Sequence, residues 1–351
     1  MAKLKTVLEL GTYETRLLTF ESAAAGEIHL KKCLSVNTPP DFVASTFIEL
    51  PIMDTVPIKN NIVSLAKGAG LAYENILLML PDHTALIDLI MGPPHYSVKE
   101  TEEAIKEDME PIMPLPYENW HIINQSLGSF NDDELLLAIA ILKNNMLEAG
   151  GVVQQAGLNP VCIDLNYFNT ANLIDDYLGS ADNKGKNICL IHLGHESTSV
   201  GIFKDGMLKS FQNRPVGAYD FTRQISRHFH VSEEDADQFK RNEIFFLPEF
   251  TPEQEVQYNY TVIKNIFAAL CREIFTCIEG YLSKFREFTI HEVILSGGGA
   301  NFENISVMLA ANLNTPVRRI CDLYQLYANG NLVGDAEKNS LAAACGCFLR
   351  E

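Results

Sequence analysis

Three glycine turns are the features of this sequence that could bind a small molecule. They centre on Gly11, on Gly194 and on the run Gly297–Gly299, and each directly follows a predicted strand. Because glycine has no Cβ atom, the backbone N–H groups of such a turn can approach phosphate oxygens closely. A single turn of this kind is also typical of an ordinary strand end. The order of the three along the chain is more informative, and together they indicate a nucleotide site.

Two of these turns lie in hairpins that resemble each other. Residues 5–20 and 188–203 both have the pattern of a strand, a glycine turn and a second strand. Aligning Glu9 with His192 makes four pairs identical, namely Leu10 with Leu193, Gly11 with Gly194, Thr15 with Thr198 and Phe20 with Phe203. The similarity indicates an internal duplication, so we expect two related halves.

A mixed α/β stretch separates the two hairpins. Ser97 and Glu100 have the spacing of a capping box, which begins an acidic amphipathic helix. The elements predicted beyond it are strands at Asn119–Ser126 and Glu134–Leu142, a polar turn between them at Asn131–Asp133, and a helix over 143–156. We therefore predict a small α+β subdomain over residues 84–154. The first half then consists of residues 1–83 and 155–183, and the second half of residues 184–351.

The composition excludes several classes of partner. The chain has 45 acidic and 27 basic side chains, a formal charge of −18, so its average surface potential repels nucleic acid and anionic lipid. No segment offers a secretory signal or about 18 apolar residues without charge. The 8 cysteines are scattered, mostly in apolar runs, and are expected to be reduced core residues. We expect a cytosolic protein without direct membrane insertion.

Taken in order, these motifs resemble the PilM family, the actin-like cytoplasmic proteins of type IV pilus assembly, which are similar in fold to the cell-division protein FtsA. The resemblance extends over almost the whole chain and includes the helix that ends at Pro114 and Pro116. It implies the actin-like ATPase fold, an α/β architecture of two related halves with an inserted α+β subdomain in the first. The segment Ser296–Ala300 is similar to the adenosine motif of this fold.

The resemblance also implies a cofactor, ATP or ADP with Mg²⁺, and a set of residues that contact it. It assigns nucleotide contacts to Glu9, Gly11, Thr12, Arg16, His192, Gly194, Thr198, Asp237, Lys240, Gly297, Gly298 and Gly299. It assigns a metal contact to Glu9 and identifies no catalytic residue.

Two departures from the family pattern bear on the chemistry. The family has an aspartate in each phosphate hairpin, where this sequence has Glu9 and His192. A glutamate can still reach a hydrated Mg²⁺, but neutral imidazole is a poor partner for this hard cation. Glu196 would in addition lie unfavourably close to a γ-phosphate. The sequence therefore predicts slow or absent hydrolysis and leaves nucleotide binding open.

The function implied by the resemblance is that of a scaffold in a pilus or type II secretion-like assembly platform. The inserted subdomain and the first half would form a groove for the N-terminal cytoplasmic peptide of a PilN-like bitopic membrane protein. That partner, with other components of the platform, would hold the protein at the inner membrane. Two alternatives stay open, a small-molecule kinase of the same superfamily and a filament-forming protein like FtsA.

Overall fold

The computed structural model describes residues 4–22, 27–38, 55–92, 97–130, 133–242, 246, 253 and 260–350. The predicted turn residues Asn131 and Asp132 lie outside this part of the chain, as do residues 1–3 and 39–54 of the predicted first half.

The strands have the following bounds: β1 Leu4–Leu10, β2 Glu14–Ser22, β3 Ile28–Asn37, β4 Asn75–Leu80, β5 Leu86–Gly92, β6 Trp120–Phe130, β7 Asp133–Leu142, β8 Asn159–Leu165, β9 Asn187–Leu193, β10 Thr198–Lys204, β11 Met207–Arg214, β12 Glu292–Ser296, β13 Val317–Arg319, β14 Leu326–Ala328 and β15 Asn331–Leu332. The helices are α1 Thr55–Ala69, α2 Val98–Met109, α3 Lys143–Gln155, α4 Asn166–Leu173, α5 Asp175–Leu178, α6 Ala218–Phe229, α7 Glu233–Asn242, α8 Tyr260–Phe285, α9 Ile305–Leu313 and α10 Asp335–Leu349.

Two sheets form the centres of the two halves, and the five strands from β3 to β8 of the first sheet repeat the strand order of the second. The first has the order β15-β14-β3-β2-β1-β4-β8 and the second the order β11-β10-β9-β12-β13. In the first sheet, β1 pairs antiparallel with β2 and parallel with β4. In the second sheet, β9 pairs antiparallel with β10 and parallel with β12. Glu9 lies opposite Arg16 and His192 lies opposite Ser199, at equivalent positions of the two hairpins. The repeated strand order supports the predicted duplication.

The inserted subdomain is an antiparallel sheet, β5-β7-β6, with α2 packed against it. The capping box is present, because the Ser97 side chain accepts from the backbone N–H of Glu100 while the Glu100 carboxylate accepts from that of Ser97. Ile105 and Met109, on one side of α2, are buried in one cluster with Trp120. Leu89 and Leu137 instead join a cluster that contains residues of the second half, so this subdomain packs against both halves.

The C-terminal segment returns to the first half. Strand β14 pairs parallel with β3, and α10 packs beside the first sheet, where Cys345 and Phe348 join Val7 and Phe20 in one cluster. The sequence prediction grouped residues 184–351 as one half, whereas this pairing includes residues 326–349 with the first. A local residue pattern can indicate a short strand, but it does not indicate which sheet edge the strand joins. The edge depends on pairing with residues that are distant in the sequence.

Helix α8 carries the longest apolar stripe. Its buried residues include Ile263, Phe267, Leu270 and Ile274, which pack on the second sheet as their spacing of three and four predicts. Within the described residues, none of the helices combines the length and the apolar character needed to span a membrane.

Candidate functional site

A cavity of about 620 Å³ lies between the two halves, where β1, β9 and β12 end. Strands β9 and β12 are parallel neighbours in the second sheet, so their glycine turns lie at the same edge of that sheet. The end of β1 in the first sheet borders the same cavity, so the three turns converge here although they are far apart in sequence. The predicted site residues that line this cavity are Glu9, Gly11, Thr12, Arg16, His192, Gly194, Lys240, Gly297, Gly298 and Gly299.

The two hairpin turns are built alike. The N–H of Gly11 donates to the carbonyl of Glu14 at 3.1 Å, and the N–H of Gly194 donates to that of Ser197 at 2.9 Å. A Cβ atom on Gly11 would lie 2.6 Å from the same Glu14 oxygen. These glycines are therefore required by the turns themselves, and their N–H groups are already engaged.

The third turn has a different requirement. Gly297 adopts φ +87°, and a Cβ atom there would lie 2.5 Å from the carbonyl oxygen of Leu193. The turn therefore packs directly on the end of β9. A Cβ atom on the next residue, Gly298, would meet none of the described atoms within 4 Å, so this backbone borders open space in the cavity. The third turn is consequently the one with room for a ligand against its backbone.

Arg16 is surrounded by acceptors of the protein itself. Its Nε and one terminal nitrogen each lie 2.8 Å from Glu14 Oε2, and the other terminal nitrogen lies 3.3 Å from Glu9 Oε2 and 3.1 Å from the carbonyl oxygen of Ser340. Burial raises the pKa of Glu9, although the charge of Arg16 opposes this effect. The cation predicted to contact phosphate is thus paired with two carboxylates.

His192 lies at the position of the second hairpin that is equivalent to Glu9 in the first, and its surroundings keep it neutral. Its Nδ1 lies 3.1 Å from the hydroxyl of Ser296 on the neighbouring strand β12. Burial, together with the nearby charge of Arg16, lowers the pKa of His192 to about 4. At neutral pH this side chain is an uncharged imidazole held by the protein.

Asp237 and Lys240 form a compact network on α7. The Nζ of Lys240 lies 2.7 Å from Asp237 Oδ1, 2.6 Å from the hydroxyl of Thr222 and 3.3 Å from the carbonyl of Ala218. Lys240 therefore donates to two neutral acceptors, Thr222 and Ala218, and forms an ion pair with Asp237. The second oxygen of Asp237 accepts from Arg241 at 2.8 Å.

Thr198 lies behind the cavity. Its buried hydroxyl donates to the carbonyl of Val216 at 2.6 Å and so connects β10 to the segment before α6. We expect this residue to support the second turn rather than to contact a ligand.

Sequence reasoning missed the buried polar residues Asp82, His83 and Asn166 of the cavity. Asp82 is 4% exposed and accepts from the N–H of Tyr167 at 2.8 Å and from the hydroxyl of Ser199 at 2.7 Å. Asn166 is 8% exposed, and its Oδ1 has no hydrogen-bond partner among the described residues. Asp82 and Asn166 follow β4 and β8, which run parallel to β1 or to its neighbour. A polar residue within two positions of the end of such a strand is the signal that could have identified them.

The buried carboxyl of Asp82 predicts a specific pH dependence of stability. Burial raises the pKa of Asp82 from 3.8 to about 6, so between these values the folded protein binds more protons than the unfolded chain. The free energy of unfolding should therefore fall, relative to that of Asp82→Asn, by up to about 3 kcal/mol as the pH rises from 4 to 7. Urea titrations of both proteins across this range measure it. A difference that stays constant with pH would contradict the prediction.

The cavity suits a nucleotide in some respects and Mg²⁺ poorly. Open space beside Gly298 and the unpaired Asn166 oxygen are features that a polar ligand could use. The donors expected for Mg²⁺ do not fit, because Glu9 is engaged by Arg16 and His192 offers neutral imidazole. In the described part of the chain, the grouping of three metal-type side chains, Cys321, Asp322 and Asp335, lies elsewhere.

Comparison with known proteins assigns the family. A family model described as "Type IV pilus assembly protein PilM" matches residues 8–351. The chain belongs to the PilM family. This PilM-family chain is also 25% identical to the cell division protein FtsA of Bacillus subtilis (strain 168) over 155 residues, which is 40% of this chain. The match spans about a third, 34%, of the length of that relative.

Solved structures show that the PilM-family chain has the actin-like ATPase fold. It is similar to a structure described as "PilM-PilN type IV pilus biogenesis complex", with a TM-score of 0.80, 19% identity and coverage of 98% of this chain and 97% of the other. The ethanolamine utilization protein EutJ from Carboxydothermus hydrogenoformans gives a TM-score of 0.55 at 13% identity, covering 99% and 90%. MreB5 of Spiroplasma citri bound to AMPPNP gives 0.52 at 13% identity, covering 99% and 96%. The predicted fold class is confirmed.

Proposed function

We propose that this PilM-family chain is a cytoplasmic scaffold of a type IV pilus or related assembly platform. It binds the N-terminal cytoplasmic peptide of a PilN-like bitopic membrane protein, and this partner, with further components of the platform, keeps it at the inner membrane. The observation that carries the proposal is the likeness to the PilM–PilN complex, which covers 98% of the chain and so includes the inserted subdomain.

The boundary between the inserted subdomain and the first half is the surface that we propose for the peptide. Helix α3 follows β7 of the inserted sheet and leads into β8, an edge strand of the first sheet. Leu147 on α3 and Val161 on β8 are 66% and 56% exposed. Large apolar side chains exposed beside a sheet edge are typical of peptide-binding surfaces.

A binding measurement tests the proposal. The probe is a labelled synthetic peptide of the N-terminal cytoplasmic segment of the PilN-like protein from the same organism, and the readout is fluorescence anisotropy. We expect Leu147→Asp and Val161→Asp each to raise the Kd at least about tenfold, because a charge would be desolvated in the complex.

Phe288→Asp is the matched control, since Phe288 is 95% exposed but lies in the second half, between α8 and β12. Its Kd should stay within about twofold of that of the wild type. Absence of binding by folded wild-type protein would contradict the scaffold proposal. An equal loss in all three variants would contradict the location of the groove.

We also propose that the cleft binds ATP or ADP with a degenerate site and that hydrolysis is slow or absent. The paired Arg16 and the neutral His192 support this proposal, because a phosphoryl-transfer centre needs cations and a hydrated metal directed at the phosphates. The same two residues argue against the small-molecule kinase alternative. Phosphorylation of any small acceptor that is lost in Glu9→Ala would overturn this conclusion.

A further inference from the structure

One tyrosine connects the two halves across the mouth of the cavity. Tyr13 lies in the turn between β1 and β2 of the first half, and its hydroxyl donates to Asp237 Oδ2 on α7 of the second half at 2.9 Å. The guanidinium of Arg241, also on α7, lies 4.9 Å from the centroid of the Tyr13 ring. Both the hydroxyl and the ring of Tyr13 are therefore held by the opposite half.

Further rings from the second half extend this contact. The His195 ring lies 5.1 Å from that of Tyr13, and the Tyr219 ring lies 4.9 Å from that of His195. His195 belongs to the turn after β9 and Tyr219 to α6, so two elements of the second half support Tyr13. Centroid separations of this size are those at which aromatic rings attract one another.

The cations that line the cavity among the described residues are already paired with carboxylates of the protein. Arg16 is paired with Glu14 and Glu9, while Lys240 and Arg241 share Asp237. Cations that are free to face a phosphoryl group are what stabilise its charge in a phosphate-binding site. Here the same cations instead form ion pairs within the chain, and Asp237 connects Lys240 and Arg241 to Tyr13.

We propose that Tyr13, Asp237 and Arg241 form a latch that closes the two halves over the cavity without any nucleotide. The closed state is then stabilised by contacts within the chain, and a nucleotide could add to this only through a higher affinity for the closed state than for the open one. A scaffold built this way keeps one conformation whatever the cellular nucleotide level. The latch does not involve the partner peptide, so this inference and the scaffold proposal can fail separately.

Amide hydrogen exchange followed by mass spectrometry tests the latch on the full chain. Without nucleotide, we expect the wild type to protect the amides of α7 and of residues 11–13. Tyr13→Phe keeps the ring but removes the hydroxyl that donates to the charged Asp237. Exchange in both segments should then be about fivefold faster or more, as loss of a hydrogen bond to a charged group implies.

Tyr219→Phe is the matched control, since the Tyr219 hydroxyl donates to Glu233 at 2.6 Å and both residues belong to the second half. Exchange at residues 11–13 should be unchanged in this variant. A third measurement repeats the exchange experiment on the wild type with added ADP, with and without Mg²⁺. Thermal unfolding checks separately that each variant is folded. Protection that arises only after ADP is added, or that is equal in Tyr13→Phe and the wild type, would overturn the proposal.

Discussion

Replacing Gly346 by alanine is expected to lower the free energy of unfolding by about 3 kcal/mol. A Cβ atom at this position of α10 would lie 1.7 Å from the backbone carbonyl oxygen of Asn169 on α4. A backbone group cannot rotate away as a side chain can, so the two helices would have to separate. The two helices also border the cavity, since Asn166 of α4 and Ser340 of α10 line it. Separation of the helices would therefore disturb the cavity as well. Chemical denaturation monitored by circular dichroism measures the loss.

The matched control for this prediction is Gly150→Ala in α3. A Cβ atom on Gly150 would meet no atom of the described structure within 4 Å. Alanine should therefore leave stability unchanged or raise it by about 0.5–1 kcal/mol, because glycine is the weaker helix former. Similar denaturation midpoints for the two variants would show that the helices are not in close contact at Gly346.

The second large effect concerns Mg²⁺. We expect the affinity of the wild type for ATP or ADP to change less than about twofold between Mg²⁺ and EDTA, because neither Glu9 nor His192 is available as a ligand to a hard cation. His192→Asp combined with Glu9→Asp should create a Mg²⁺ dependence of about tenfold or more, equivalent to about 1.4 kcal/mol. Thermal-shift titrations with each nucleotide, with and without Mg²⁺, provide the comparison.

His192→Asn in the same Glu9→Asp background separates charge from shape. Asparagine has the size of aspartate but not its charge, so this variant should show no Mg²⁺ dependence. A tenfold effect of Mg²⁺ in the wild type would contradict our interpretation of His192. An equal response of the Asn and Asp variants would show that size rather than charge limits the metal site.

Local features of this protein could be predicted from the sequence. The alternation of residues in the flanking strands predicts the hairpin turns at Gly11 and Gly194. Glycine is needed in both turns because the backbone leaves no room for a Cβ atom. The start of α2 follows from Ser97 and Glu100, which are three residues apart. In each case the groups that interact lie within one turn or one hairpin, so the pattern of residues contains both partners.

The partners of the site residues could not be predicted in this way. Arg16, which the resemblance assigns to phosphate, pairs with Glu14 and with the carbonyl of Ser340, more than 300 residues away. Asp237, which the resemblance assigns to the nucleotide, accepts from Tyr13 of the other half. The sequence shows that a motif contains a charged residue. Its hydrogen-bond partner depends on which groups the packed sheets bring within about 3 Å of it.

The sequence by itself determined the positions of the three glycine turns and the two similar hairpins, because strand periodicity and turn geometry depend on neighbouring residues. The fold class and the insertion followed from the order of these motifs and from their resemblance to the PilM family. Only the tertiary structure decided that residues 326–349 rejoin the first half, that Tyr13 bridges the cavity, and that its cations are paired internally. These outcomes depend on contacts between distant segments, whose energies are set by burial and distance in the folded chain.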